Sequence, residues 1–223
     1  ADEKRYKGVW TDYFKRWRKE DEDPMRNVHN LEAWLEVPYI VNPVILFGPL
    51  WASGKNNYGQ LGVADFNNRE ILSKSVDEWL AVATGLETSM GIKSDGTLWG
   101  WGSASFYATG QNTTNSYSVP HLTSADKWLV VTSGYDNGAG IKTDGSLWVW
   151  GANFYYSLGL GDSTTRKVPT LVGSDSWKHV SAGERFMVGI KSDGTLWGWG
   201  RNDYYQLGLG DTTTRQTPTL ISS

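Results

Sequence analysis

Aspartates recur at Asp95, Asp144 and Asp193, 49 residues apart, and a second pair stands at Asp162 and Asp211, again 49 apart. Carboxylates in sets could serve general acid–base chemistry or bind calcium. Their spacing argues for architecture instead, because a catalytic group is needed once. Each of the first three sits in a Ser/Thr-Asp-Gly-Thr/Ser phrase between two apolar runs. That is the composition of a hairpin turn in which the carboxylate caps its own backbone. Asp162 and Asp211, in GDSTTR and GDTTTR, supply one carboxylate per loop, whereas a calcium site needs several oxygens. A local side-chain-to-backbone bond is the expectation there. The histidines His29, His121 and His179 fall at unrelated places, and there is no cysteine. Neither a nucleophile elbow nor a phosphate-binding glycine loop is present. The expectation is therefore a protein that is not an enzyme, with no catalytic residue, no metal and no cofactor.

Aromatic residues are the more informative group. The chain has 13 tryptophans and 26 glycines in 223 residues. The aromatics Tyr58, Phe106, Tyr107, Tyr155, Tyr156, Tyr204 and Tyr205 each follow a Trp-Gly or Ser-Gly strand end by a few residues. They are expected to gather on one rim of the fold as a partner surface, since tyrosine offers a large apolar face at small entropy cost. A second set, Trp10, Tyr13, Phe14 and Trp17, recurs at helical spacing within residues 1–33, which hold eight acidic and eight basic side chains. This segment reads as a charged amphipathic arm. It is expected either to fold back over the first repeat or to dock on a partner or neighbouring subunit, with membrane-surface attachment a third reading.

The elements that would position these residues are written as a repeat. GIKSDGTLWGWG at Gly91 returns as GIKTDGSLWVWG at Gly140 and as GIKSDGTLWGWG at Gly189. Twenty residues before the LW tryptophans Trp99, Trp148 and Trp197 stand Trp79, Trp128 and Trp177, each opening a strand-like run. Within LWxW the two tryptophans share a strand face and the leucine points to the other, as in a sheet covered on both sides. Glycines at 54, 102, 151 and 200 open the loops that follow. The count is about four short strands per 49 residues, the pattern of a propeller blade. The first unit is degenerate: Phe47 stands at the place of the turn aspartate, and Ser53 at the place of the second tryptophan. The predicted architecture is an all-β small β-propeller of about four blades with an N-terminal helical arm. Its organisation is 1–33 for the arm and 34–223 for the propeller, in units of about 34–78, 79–127, 128–176 and 177–223.

The run DGTLWGWGRNDYYQLGLGDTTTRQTP, Asp193 to Pro218, resembles the regulator of chromosome condensation repeat, and the resemblance extends over roughly residues 34–223. It implies a β-propeller, most often of seven blades, whose loops bind another protein. Members of the family act in nucleotide exchange on a small GTPase, in chromatin contact, in ultraviolet sensing and in β-lactamase inhibition. The His-Ser or His-Thr that the family often carries after the inner-strand glycine is missing, its histidine place being held by Thr88, Asn137 and Phe186.

A net charge of −3 opposes a polyanion-binding surface, so no nucleic acid is expected. No apolar run reaches the length of a membrane span, and the start ADEKRYKGVW is not a signal peptide, so cytosolic synthesis is expected. The function expected first is a non-catalytic structural or protein-binding module in a larger homo- or hetero-oligomeric assembly, a virion or surface component among them. A regulatory binder acting through the tyrosine rim is the alternative, and a carbohydrate-binding module the second.

Overall fold

The computed structural model describes residues 48–222. The predicted arm with Trp10, Tyr13, Phe14 and Trp17, and the opening of the first repeat up to residue 47, lie outside the described residues.

Among the described residues thirteen strands follow one another, all pairing antiparallel. Blade 1 contributes β1 (Gly48–Gly54) and β2 (Arg69–Trp79). Blade 2 is a complete four-stranded sheet of β3 (Ala81–Thr84), β4 (Thr88–Ile92), β5 (Leu98–Gly102) and β6 (Tyr117–Ser124). Blade 3 opens with β7 (Trp128–Ser133), β8 (Asn137–Lys142) and β9 (Ser146–Gly151). Its outer strand does not stop. The 17-residue β10 (Arg166–Ala182) pairs with β9 over Arg166–Ser176 and with β11 (Phe186–Lys191) from Trp177 onward. It thus serves as the outer strand of blade 3 and the inner strand of blade 4. With β12 (Leu196–Gly200) and β13 (Arg215–Ser222) the two blades form one seven-stranded sheet.

The hairpin reading of the repeated aspartates holds in detail. Asp95 Oδ1 accepts from the backbone N–H of Thr97 at 2.9 Å and from its hydroxyl at 2.6 Å, and the Trp99 indole N–H donates to that hydroxyl at 2.8 Å. Asp144 with Ser146 and Trp148, and Asp193 with Thr195 and Trp197, repeat the arrangement. The glycine after each aspartate takes a positive φ, 84° at Gly96, which an L side chain adopts only at a cost. The threonine and serine hydroxyls, then the backbone N–H groups, hold these three carboxyls below the usual aspartate range.

The described tryptophans divide into two populations. Trp101, Trp150 and Trp199 are wholly buried between blades, and the opening Trp79, Trp128 and Trp177 are at most 5 % exposed. The rings pair, Trp79 with Trp101 at 5.0 Å, Trp128 with Trp150 at 6.0 Å and Trp177 with Trp199 at 5.6 Å. Burying a side chain of this kind removes roughly 150–250 Å² from water, about 4–6 kcal/mol gross before the entropy of ordering. The LW tryptophans Trp99, Trp148 and Trp197 are only half-buried. Each lies under a lysine ammonium, at 3.8 Å for Lys93, 3.6 Å for Lys142 and 3.4 Å for Lys191, and the same lysine reaches the opening tryptophan at 5.3–5.5 Å. Trp51, the blade 1 counterpart, is 54 % exposed.

Blades lock to one another through the buried indoles. Trp101 donates to the Gln60 carbonyl of blade 1 at 3.0 Å, and Trp150 to the Ala108 carbonyl of blade 2 at 2.9 Å. Met90, Ile92 and Leu98 of blade 2 form one core with Trp128 and Trp150. Ala139, Ile141, Leu147 and Leu158 of blade 3 form another with Met187 and Trp199 of blade 4.

Candidate protein-binding rim

In blades 1, 3 and 4 the loop after the strand of the LW tryptophan is built on a buried asparagine. Asn153 Nδ2 donates to the Asp162 carbonyl at 2.6 Å while its Oδ1 accepts from the Leu158 N–H at 2.9 Å. Asp162 in turn accepts from the Thr164 N–H and pairs with Arg166 at 2.6 Å. Asn202, Asp211 and Arg215 repeat this in blade 4, and Asn56, Asp65 and Arg69 in blade 1. All three asparagines are fully buried. The arginine hydrogen bond is the largest influence that holds Asp65, Asp162 and Asp211 below the ordinary carboxyl range. Asp162 and Asp211 thus make the local bonds expected of them. The asparagine was not singled out, although Asn153 and Asn202 keep the 49-residue spacing.

In blades 1, 3 and 4 these hubs present the rim aromatics, whereas in blade 2 Ala104 holds the place of the asparagine. Phe106 and Tyr107 have φ of 53° and 63°, Tyr155 and Tyr156 of 57° and 59°, and Tyr205 of 61°. Left-handed backbone at bulky residues stores on the order of 1 kcal/mol or more each and persists only where the surroundings enforce it.

The structure joins some of the expected residues and leaves others apart. Phe106 meets Phe154 edge-on at 5.2 Å. The Arg185 guanidinium stands 5.9 Å from the Phe154 ring, 5.5 Å from Tyr155 and 6.0 Å from Tyr135. Arg201 lies 5.1 Å from both Tyr155 and Tyr204. One strip therefore runs Phe106, Phe154, Arg185, Tyr155, Arg201, Tyr204 across blades 2 to 4. Tyr156 lines an open hollow of about 430 Å³ with Phe154, Tyr155 and Arg185. Tyr107 packs under Lys167 at 5.2 Å. Tyr58 pairs with Lys55 at 5.6 Å, and Tyr205, 61 % exposed, makes no ring contact among the described residues.

Phe154, Tyr135, Arg185 and Arg201 were not legible as rim residues, because the 49-residue repeat does not conserve their chemistry. The place of Arg185 is held by Glu87 in blade 2 and Asp136 in blade 3. Charge on this surface is mixed. Arg201 is tied to Asp203 at 2.9 Å and approaches Glu184 at 3.8 Å, and the Asp203 hydrogen bond pushes its guanidinium pKa further up. Burial pushes the Asp136 carboxyl above the ordinary range. Among the described residues no three metal-ligating side chains come together, and no helix is long and apolar enough to cross a membrane.

Comparison with known proteins agrees with this fold. The family described as Regulator of chromosome condensation (RCC1) repeat matches residues 144–190 and 193–223, and a second description of the same repeat matches 177–206. No curated protein sequence matches the chain. Human WBSCR16 is similar in structure, with a TM-score of 0.72 at 21% identity over 79% of this chain and 49% of its own. Yeast RCC1 (Prp20) bound to Kap60 gives 0.71 at 19% over 79% of this chain and 45% of its own. Prp20p of Saccharomyces cerevisiae, in a structure described with its binding properties to Gsp1p and histones, gives 0.69 at 19% over 79% and 47%. The chain spans about half the length of these structures, and at such identity the likeness is one of fold. The stretch within residues 144–223 thus matches the RCC1 repeat, and the described blades share the β-propeller fold of these structures.

Proposed function

We propose that the chain is a non-catalytic protein-binding module whose contact surface is the aromatic and arginine strip from Phe106 to Tyr204. The observation that carries this is the exposure of its anchors on a braced frame. Tyr204 is 75 % exposed, yet it sits two residues from the fully buried Asn202, which is bonded to both ends of its loop. Large aromatic side chains held open on rigid backbone, with arginines between them, are what hot spots of protein interfaces are made of. Yeast Prp20, a protein with this fold, was crystallised bound to another protein, Kap60.

A regulatory binder fits this surface. Nothing in the structure or among the similar proteins supports a virion or surface-structure role, and the strip carries no repeated polar set for sugar binding. The test is affinity capture from the source cells with the native chain and with Tyr155, Tyr156, Tyr204 and Tyr205 all changed to alanine. One or a few partners should be retained by the native chain and lost by the variant, with the unfolding temperature of the two nearly equal. An unchanged partner set would move the contact surface elsewhere.

A further inference from the structure

We infer that Arg185 is the anchor for an acidic side chain of the bound protein, an inference that rests on the strip being the contact surface. Every other arginine among the described residues has its carboxylate: Arg69 with Asp65, Arg166 with Asp162, Arg215 with Asp211 and Arg201 with Asp203, at 2.5–2.9 Å. Arg185 has none within ion-pair reach among the described residues, and its Nε is buried without an acceptor. A partly buried cation with an unmet donor is costly, and an incoming carboxylate answers both its charge and its geometry.

The surroundings choose the ligand. Tyr135, Phe154 and Tyr155 flank the guanidinium, and the hollow beside it is lined by Phe154, Tyr155 and Tyr156. A carboxylate next to an apolar side chain fits such walls, where aromatic contact and charge pairing act together. The carboxyls around it are Asp136, which feels the Arg185 charge without pairing to it, with Glu184 in the same turn and Asp203 and Glu87 beyond. This acidic fringe would repel a phosphate dianion more strongly than a single carboxylate. The backbone sets Arg185 apart as well. It has a φ of 64° in the β10–β11 turn, whereas its counterparts Glu87 and Asp136 do not adopt positive φ. Strain of this kind marks a side chain placed for a task.

The experiment follows the Arg185 Nε–Hε resonance of the full 15N-labelled chain, assigned by its disappearance in Arg185→Lys. Two blocked tripeptides are titrated, acetyl-Phe-Glu-Phe-amide and its neutral counterpart acetyl-Phe-Gln-Phe-amide. The glutamate peptide should shift the resonance saturably and bind about fivefold more tightly or better. In Arg185→Gln, whose retained spectral dispersion shows that it folds, the preference, read there from the backbone amides of Phe154 and Tyr155, should fall to about one. Equal affinity for the two peptides, or a preference that survives Arg185→Gln, overturns the assignment. Equal binding that disappears in Tyr155→Ala/Tyr204→Ala would leave the strip as contact surface and remove only the acidic anchor. If neither peptide binds, the anchor fails, and the strip is judged by partner capture alone.

Discussion

The rim loops of blades 2 and 4 reach similar backbone shapes by opposite means. In blade 4, Asn202, Asp211 and Arg215 form the full polar hub, but nothing comes within 4 Å of the place a Cβ would take at Gly208. In blade 2 the hub is gone, with Ala104, Thr113 and Tyr117 in the three places. There the Trp150 ring of the next blade lies 3.1 Å from the place of a Cβ at Gly110, and its N–H takes the Ala108 carbonyl. Gln111 adds bonds to the Gly100 and His121 carbonyls, and Tyr117 stacks on His121 at 3.7 Å. Yet Gly110 and Gly208 have φ of 68° and 67°, and Tyr107 and Tyr205 of 63° and 61°. A buried polar hub and an indole from the neighbouring blade are alternative braces for one loop. Blade 3 carries both, with Asn153 inside and Trp199 against Gly159.

Removing the indole is the most severe way to break this equivalence. Trp150→Ala should cost about 3–5 kcal/mol, lower the unfolding temperature by several degrees and free the blade 2 loop, which has no hub to fall back on. Thermal unfolding with amide exchange at Ala108 and Gly110 measures both effects. Next comes the hub. Asn202→Ala leaves the Leu207 N–H and the Asp211 carbonyl without their partner, a loss of about 1–3 kcal/mol. The same change at Asn153 should release its loop less, because Trp199 still presses on it. Leu207 and Leu158 amide exchange in the two variants would refute two-fold bracing if the order were reversed.

Acid gives a smaller and reversible probe. Asp65, Asp162 and Asp211 have folded pKa values lowered chiefly by their arginines, so their contribution is fully present above the ordinary aspartate pKa. It is lost as pH falls through the lowered folded values. The loops of blades 1, 3 and 4 should therefore loosen below about pH 4, while that of blade 2, with Thr113 at this place, should not. Carboxyl and amide shifts followed by NMR would show it, and a blade 2 loop that loosens in step with the others would contradict it. The smallest effect is expected from grafting the hub into blade 2 as Ala104→Asn/Thr113→Asp/Tyr117→Arg. With one brace already in place, a second should add less than about 1 kcal/mol.

Much of the frame was legible because it repeats. The turn aspartates, their glycines and the buried tryptophans recur at one spacing, and periodic chemistry at periodic places can only be architecture. The lysine between two tryptophans was present in every GIK phrase, but its role depends on a cross-strand neighbour that spacing does not reveal. The rim strip was half legible. Its tyrosines follow the strand ends, whereas Phe154, Arg185 and Arg201 break the repeat, and aligning units on one another sets aside what differs between them.

The strand β10 passes from blade 3 into blade 4 without a turn, whereas Ala125, Asp126 and Lys127 interrupt the chain between β6 and β7. Tension applied along the polypeptide would thus meet unequal joints. Blades 3 and 4 share one continuous ladder of hydrogen bonds and should yield as a single mechanical unit, in one long step. The seam between blades 2 and 3 is held by side-chain packing and scattered bonds, Trp150 to the Ala108 carbonyl, Asn112 N–H to the Lys167 carbonyl and Trp128 N–H to the Gly96 carbonyl, and it should part before that ladder does.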